Sequence, residues 1–291
     1  MIDLHLHTNA SDGRLSLEEL ILKAEEVGLK AIAITDHDTI KNAKRILEIS
    51  KSHNRTTELE LIPGIEISVY DHDLGYVDLH ILGLFIDVKN KKLNSKLKEL
   101  ENQREDQKKE IIKKLNLLGY DITYEEARAR AGGSIGRPHI ASVLMDRYPE
   151  EFKSMPEVFA KLLDRKSPAF VSRNVSFALK DAIAIIHEAN GLAILCHPGF
   201  FEGDRKKLFQ DFKTMGGDGI ETVYDYVANA SYRKANSETN KKFAKEFHEI
   251  AMKLGFLESG GSDYHGPNKG SKIGELNVPN EFLEKMKASI F

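Results

Sequence analysis

Tryptophan is absent and cysteine occurs once, at Cys196. A lone cysteine excludes an internal disulfide framework and suits a reducing compartment, so a cytoplasmic protein is expected. No apolar run approaches the ~18 residues of a membrane span, and a soluble chain is expected. Position 1 leads directly into strand-like residues, without a basic segment, apolar stretch and cleavage site in succession, so no secretory leader is expected. Charge of one sign is missing too: 42 Lys and Arg face 45 Asp and Glu, a net −3. That balance excludes a strongly basic coat for nucleic acid and leaves room only for a local basic patch. Internal repeats and low-complexity tracts are also absent.

What is there reads as globular. The 291 residues, 41% hydrophobic and 30% charged, suffice for one large domain, or for one with a smaller companion. Short runs rich in Ile, Val and Leu recur: IDLHL (2–6), AIAIT (31–35), LIPGIEISV (61–69), VDLHILGLF (77–85), LAILC (192–196), DGIETVY (218–224) and GFLESGG (255–261). Amphipathic stretches separate most of them. LSLEELILKAEEVGL (15–29) has helical spacing, Ser16 as N-cap, Glu19 three residues on and Gly28 near its end. VSFALKDAIAIIHEANG (175–191) follows the same grammar and ends in Asn190-Gly191. Seven strands separated mostly by helices predict an α/β fold around a parallel sheet, closed or open.

The alternation stops between about 88 and 168, where the pattern is helical without a convincing strand. Such a length is too great for a plain loop. The expected organisation is therefore a first barrel or sheet segment over 1–88, a small helical insertion over 89–167 and a second segment over 168–291. Residues 89–130 hold 12 Lys and Arg against 8 Asp and Glu, a local +4. A solvated helix face explains that excess; a patch that attracts phosphates is the alternative.

The chemistry sits at the ends of the strands. In DLHLHT, His5 and His7 are two residues apart, so in a strand both project to one face. Two ligands of one ion need that placement, although two buried histidines with ordinary partners would share it. Asp12 follows in the loop SDG. AIAIT runs into Asp36, His37 and Asp38; IPGIEIS carries Glu66; VDLHILG carries His80; LAILC ends in His197-Pro198-Gly199; GFLESGG ends in Ser262-Asp263-Tyr264-His265-Gly266. In parallel sheets and barrels the C-terminal strand ends build the site. So many acids and imidazoles at one rim would be costly without compensating metal ions, so metal binding is expected.

HxH, SDG, TDH, GIE, a strand histidine, HPG and SDxHG, in this order, resemble the polymerase and histidinol phosphatase (PHP) superfamily. The resemblance spans 1–85 and about 168–275. It is strongest to stand-alone phosphoesterases with a helical insertion, including enzymes acting on nucleoside 3′,5′-bisphosphates and on 5′ ends of short RNA. It implies a distorted (βα)₇ barrel with a small helical insertion. It also implies two or three divalent ions (Mn, Fe or Zn). His5, His7, Glu66 and Asp263 would hold the first, and Glu66, His80 and His197 the second, with Glu66 bridging. Asp12, His37 and His265 would hold a third. Relatives often have His where Asp12 stands, and an oxygen there either favours harder ions such as Mn²⁺ or Fe²⁺ over Zn²⁺ or leaves the third site weakly filled. The implied reaction is phosphate-ester hydrolysis by a metal-bridging hydroxide, with Glu66, Asp263 and His197 as the catalytic core. Asp36 and Asp38 orient His37, shuttle protons, or form a turn and helix cap.

AGGSIGRPHIA (131–141) puts Arg137, Pro138 and His139 at a helix start. Proline suits the first turn. A cap explains the motif; so does an anion site, since the helix start offers N–H groups and arginine a bidentate fork. Similar Arg-x-His pairs in the resembling phosphoesterases point to phosphate binding by Arg137 and His139, with Arg173 a weaker candidate. His187 and His248 read as helix-surface residues, His53 and His72 as loop residues, and Cys196 as a small buried hydrophobe. Tyr224 and Tyr226 either stack on a base or pack the core.

The expected partner is a phosphorylated small substrate, a nucleotide or short oligonucleotide; no membrane or obligate protein partner is expected. Histidinol phosphate is an alternative substrate, but the large insertion suits a bulkier, multiply phosphorylated one. Amide hydrolysis is another, though a neutral amide has no need of Arg137. A non-catalytic metal-stabilised module serving a polymerase is the last, opposed by the full ligand set.

Overall fold

The structure, a computed structural model, describes residues 1–51, 58–131, 135–171, 177–228, 236, 238–267 and 270–290, with only the backbone of Ser50 and Lys51. His53 and Arg173 thus lie outside the described residues. The chain divides into two compact units: Met1–Ser95 with Phe177–Phe291, and Lys96–Ser176. The corresponding boundaries read from the sequence stand at 88 and 167.

The first unit holds a seven-stranded sheet in the order β1 to β7. Its strands are β1 (Ile2–Leu6), β2 (Ala31–Ile34), β3 (Glu60–Asp71), β4 (Tyr76–Leu84), β5 (Leu192–Leu195), β6 (Gly219–Val223) and β7 (Leu257–Gly260). Each falls on one of the seven apolar runs. Strands β1, β2 and β5 are buried at every position, which is why they read as unbroken apolar runs rather than alternations. Around them lie α1 (Leu17–Glu26), α2 (Lys41–Lys51), the start of α3 (Lys91–Leu117), and, from the later sequence, helices 179–188, 205–214, 239–254 and 280–290. The capping box at α1 forms as its sequence predicts: the Glu19 N–H donates to Ser16 Oγ and the Ser16 N–H donates to Glu19 Oε2 at 2.8 Å.

The sheet is mixed, not parallel. Strand β4 runs antiparallel to both β3 and β5, while the remaining pairs are parallel. Only four residues, 72–75, join β3 to β4, whereas a parallel return needs a crossover of a dozen or more. Gly75 takes a left-handed φ of 75° and its N–H donates to His72 O, closing that turn. At the other end of the order, the His7 N–H donates to Tyr264 O at 3.1 Å and the Asp263 N–H to His5 O at 2.9 Å.

Strand residues split between two cores. Ala31, Ala33, Ile62, Leu82, Leu192, Ile194 and Cys196 pack with Phe282, Leu283 and Met286 of the last helix. Ile32 and Ile34 instead join Leu17, Leu20 and Ala24 of α1. The period-2 switch along β2 sends alternate side chains to opposite layers.

The regular elements described in the second unit are all helices: the rest of α3, α4 (Tyr124–Ala129), α5 (Arg137–Arg147) and α6 (Met155–Val158), which runs into a π-helical turn at Phe159–Leu163. Ile111, Leu115, Ile140, Val143, Leu144 and Leu163 form its core. Along the basic stretch, Lys96 pairs with Glu99 and Lys98 with Glu101, partly or fully in solvent. Most of the positive side chains of that stretch are exposed. No described helix is long and apolar enough to cross a membrane.

Candidate metal centre

Glu66, in the middle of β3, is the hub. Its carboxylate is 1% exposed, and its two oxygens face different partners. Around Oε2 stand His5 Nε2 at 3.2 Å, His7 Nε2 at 3.0 Å and His37 Nδ1 at 3.1 Å. Around Oε1 stand His80 Nδ1 at 2.8 Å and His197 Nε2 at 3.2 Å. Asp263 Oδ1 lies 3.4 Å from His5 Nε2 and 3.1 Å from His7 Nε2, and those two nitrogens are 3.1 Å apart. A third cluster adds Asp12 Oδ1, 3.2 Å from His265 Nε2 and 3.8 Å from His7 Nδ1. The nine residues expected as ligands thus meet in one place.

The topology explains how. His5 and His7 share a face at the end of β1, and His37 follows β2 and bridges to Glu66 on β3. Antiparallel pairing places His80 of β4 opposite Ser68, two residues from Glu66 on β3. His197 and Asp263 follow β5 and β7 with left-handed φ angles of 28° and 52°. For a non-glycine residue that costs roughly 1–2 kcal/mol, a strain that turns both side chains into the site.

The donor set fits metal ions. Ligands bonded at about 2.1 Å to one ion lie about 3.0–3.4 Å from one another, and the His5, His7, Glu66 and Asp263 atoms are spaced so. Among the described residues, buried Glu66 Oε2, His7 Nδ1 and His37 Nδ1 have no hydrogen-bond partner, despite their close approaches. Orphaned buried atoms of this kind demand a cation or a proton. Electrostatics agree. Burial pulls His7 down, yet Asp263 and Glu66 outweigh it and raise the ring to about 10. His5 is likewise pulled down by burial and carried well up by Glu221, Glu66 and Asp263. Glu66 and Asp263 are held well below the usual carboxylate range, because the surrounding imidazoles outweigh their burial. His37, with burial dominant, falls to about 3.

Several neighbours hold this arrangement. Asp36 accepts from Thr8 N–H at 2.8 Å, Thr8 Oγ at 2.7 Å and Ser11 Oγ at 2.7 Å, tying down the loop that bears Asp12. Asp38 accepts from the Ser68 N–H and hydroxyl, both at 2.9 Å, which ties the loop after β2 to β3. His265 Nδ1 sits 2.8 Å from Asp263 O, so its ring hydrogen is donated there and Nε2 faces Asp12. Tyr224, expected to stack or pack, donates its hydroxyl to Asp263 Oδ2 at 2.7 Å. Tyr226 packs among Phe200, Tyr224 and Phe243.

One acid was missed in the sequence. Glu221 of β6 is wholly buried, with Oε1 3.1 Å from His5 Nδ1 and Oε2 accepting the His197 N–H at 2.8 Å. Its signal was legible: Gly219-Ile220-Glu221 repeats the tripeptide Gly64-Ile65-Glu66. Cys196 lies near Glu66 and His197, but its side chain belongs to the apolar core and burial pushes its thiol well up. His187 and His248 pair with Asp218 and Glu258 near the surface.

Arg137 and His139 have partners inside the second unit. Arg137 Nη1 donates to Leu163 O at 3.0 Å and its guanidinium lies over the rings of Phe159 and Phe170. His139 Nδ1 accepts the Gly136 N–H at 2.9 Å, a helix cap. Pro138 is in the first turn.

The PHP domain family model matches residues 3–166. A 5′-3′ exoribonuclease of Haemophilus influenzae is 33% identical over 91% of this chain and 90% of its own length. A 3′,5′-nucleoside bisphosphate phosphatase of Chromobacterium violaceum is 31% identical over 93% of this chain and 89% of its own. A solved structure from Bifidobacterium adolescentis, described as a candidate metal-dependent phosphoesterase, superposes with a TM-score of 0.77 and 26% identity, covering 99% and 95% of the two chains. The chain belongs to the PHP domain family, and its class is that of the metal-dependent phosphoesterases, which are hydrolases.

Proposed function

We propose that this protein hydrolyses a phosphate ester of a nucleoside 3′,5′-bisphosphate or of a short 5′-phosphorylated oligonucleotide, in the cytoplasm. The first unit acts as a distorted (βα)₇ barrel with two or three divalent ions (Mn, Fe or Zn) at its rim. The observation that carries this reading is the division of Glu66: three imidazoles gather at one oxygen and two at the other. A carboxylate so surrounded is built to serve two cations at once.

His5, His7, Glu66 and Asp263 would hold one ion, Glu66, His80 and His197 a second, and Asp12, His37 and His265 a third. When bound, such ions supply positive charge for the phosphoryl oxygens and lower the pKa of water. The chain's own contribution is placement. Tyr224 occupies one oxygen of Asp263, so the other stays aimed at His5 and His7. Strain at His197 and Asp263 keeps both side chains turned inward. His265 directs Nε2 toward Asp12. Arg137 and His139 belong to this reading as the residues that take the substrate's non-reacting phosphate, and remote binding of that kind lets the reacting group be oriented. The names of the relatives support nucleotide substrates over histidinol phosphate.

The test is a substrate panel on protein loaded with Mn²⁺, Fe²⁺ or Zn²⁺. A nucleoside 3′,5′-bisphosphate and a 5′-phosphorylated tri- or tetranucleotide are expected to exceed histidinol phosphate in kcat/KM by more than about tenfold, the scale of one well-used contact. Equal rates would return histidinol phosphate as the substrate, and hydrolysis of none would remove the nucleotide assignment.

A further inference from the structure

Glu221 joins the two sides of Glu66. It is wholly buried on β6 and uses both carboxylate oxygens on histidines. Oε1 lies 3.1 Å from the ring nitrogen Nδ1 of His5, whose other nitrogen faces Glu66 Oε2 and Asp263. Oε2 accepts the backbone N–H of His197 at 2.8 Å, and the ring of His197 reaches Glu66 Oε1. An acid in a fully buried strand is costly unless its oxygens are used.

We propose that Glu221 is a positioning residue that holds both ion sites in one geometry. An acceptor at Nδ1 fixes the ring hydrogen of His5 on that nitrogen and leaves the Nε2 lone pair toward Glu66 and Asp263. An acceptor at the His197 N–H pins the left-handed backbone that turns this histidine into the site. The two effects come from one rigid carboxylate, so neither site can shift without the other. A glutamine in its place has one oxygen and one NH₂. It satisfies one of the two N–H groups and confronts the other with a donor.

Glu221's role presupposes the ion-binding reading, so the wild type is measured first. Protein stripped with chelator is titrated with Mn²⁺, and free Mn²⁺ is followed by electron paramagnetic resonance. Failure of the wild type to take up Mn²⁺, or Zn²⁺ or Fe²⁺ offered in its place, would overturn ion binding itself. With uptake established, Glu221→Gln is expected to keep its fold by circular dichroism and to bind Mn²⁺ about 10–100-fold more weakly. Equal affinity in the folded variant overturns the role of Glu221 and leaves the ion sites standing. A second measurement needs no variant. In the Zn²⁺-loaded wild type, long-range ¹H–¹⁵N correlations are expected to place the His5 ring hydrogen on Nδ1. A hydrogen on Nε2 overturns the proposal even if the glutamine variant does not fold.

Discussion

Glu66 is where charge matters most at the scale of single residues. Glu66→Gln preserves shape and removes the negative charge that two groups of donors share. The variant is expected to fold, to bind fewer ions by elemental analysis, and to lose hydrolysis by more than ~10², the cost of a key electrostatic contact. Most activity retained with unchanged ion content would exclude Glu66 from the site. His7 sets a pH dependence. In protein stripped of ions its pKa is about 10 against an ordinary 6.5, raised by Asp263 and Glu66 over its burial. The stability this contributes is fully present below pH 6.5 and is lost as pH rises through about 10. His37 has the opposite sign: lowered to about 3, it penalises the fold as pH drops below 6.5. Stripped protein should therefore unfold more easily towards pH 10, whereas bound ions replace the proton on His7 and flatten that decline. Thermal unfolding from pH 6 to 10 with and without Mn²⁺ measures it; identical curves would contradict it.

At the scale of elements, the β3–β4 hairpin and the approach of β7 to β1 decide the site. The short turn at 72–75 reverses the chain and so brings His80 beside Glu66. Had β4 run parallel after a helical crossover, His80 would face another register. Gly261, just after β7, lies so near β1 that an added Cβ would stand 2.4 Å from His5 Cβ and 2.5 Å from His5 N. Gly261→Ala must push β1 and β7 apart. It is expected to cost at least ~1–3 kcal/mol, the range for overpacking, and to weaken ion uptake because His5 and Asp263 move with their strands. A variant with wild-type melting temperature and ion content would show that the segment yields without cost.

For the whole molecule, all nine expected ligands lie in the first unit, while Arg137 and His139 lie in the second. Ion binding and phosphate recognition should then separate. Arg137→Ala is expected to leave ion content unchanged and to lower kcat/KM for a two-phosphate substrate by the equivalent of about 1.5–3 kcal/mol, the worth of a hydrogen bond to a charged group. A generic aryl phosphate, with no second phosphate, should lose much less. An equal loss on both would put Arg137 at the reacting phosphate. No loss on either would reduce the motif to what its described contacts show, a helix start packed on Leu163 and Phe159.

By itself the sequence determined the seven strands, the cap at Ser16 and Glu19, and the kinds of donor at the strand ends. Those are local matters, set by side-chain chemistry and by periods of 2 and 3.6. Strand direction was partly legible, since four residues cannot make a crossover, yet alternation alone predicted a parallel sheet. Only the tertiary structure decided which oxygen of Glu66 each histidine faces. It alone assigned Asp36 to the loop before Asp12 and Tyr224 to Asp263, and drew Glu221 to His5 across 216 positions. Pairings of that kind are made through space by strand register, and no local pattern along the chain encodes them.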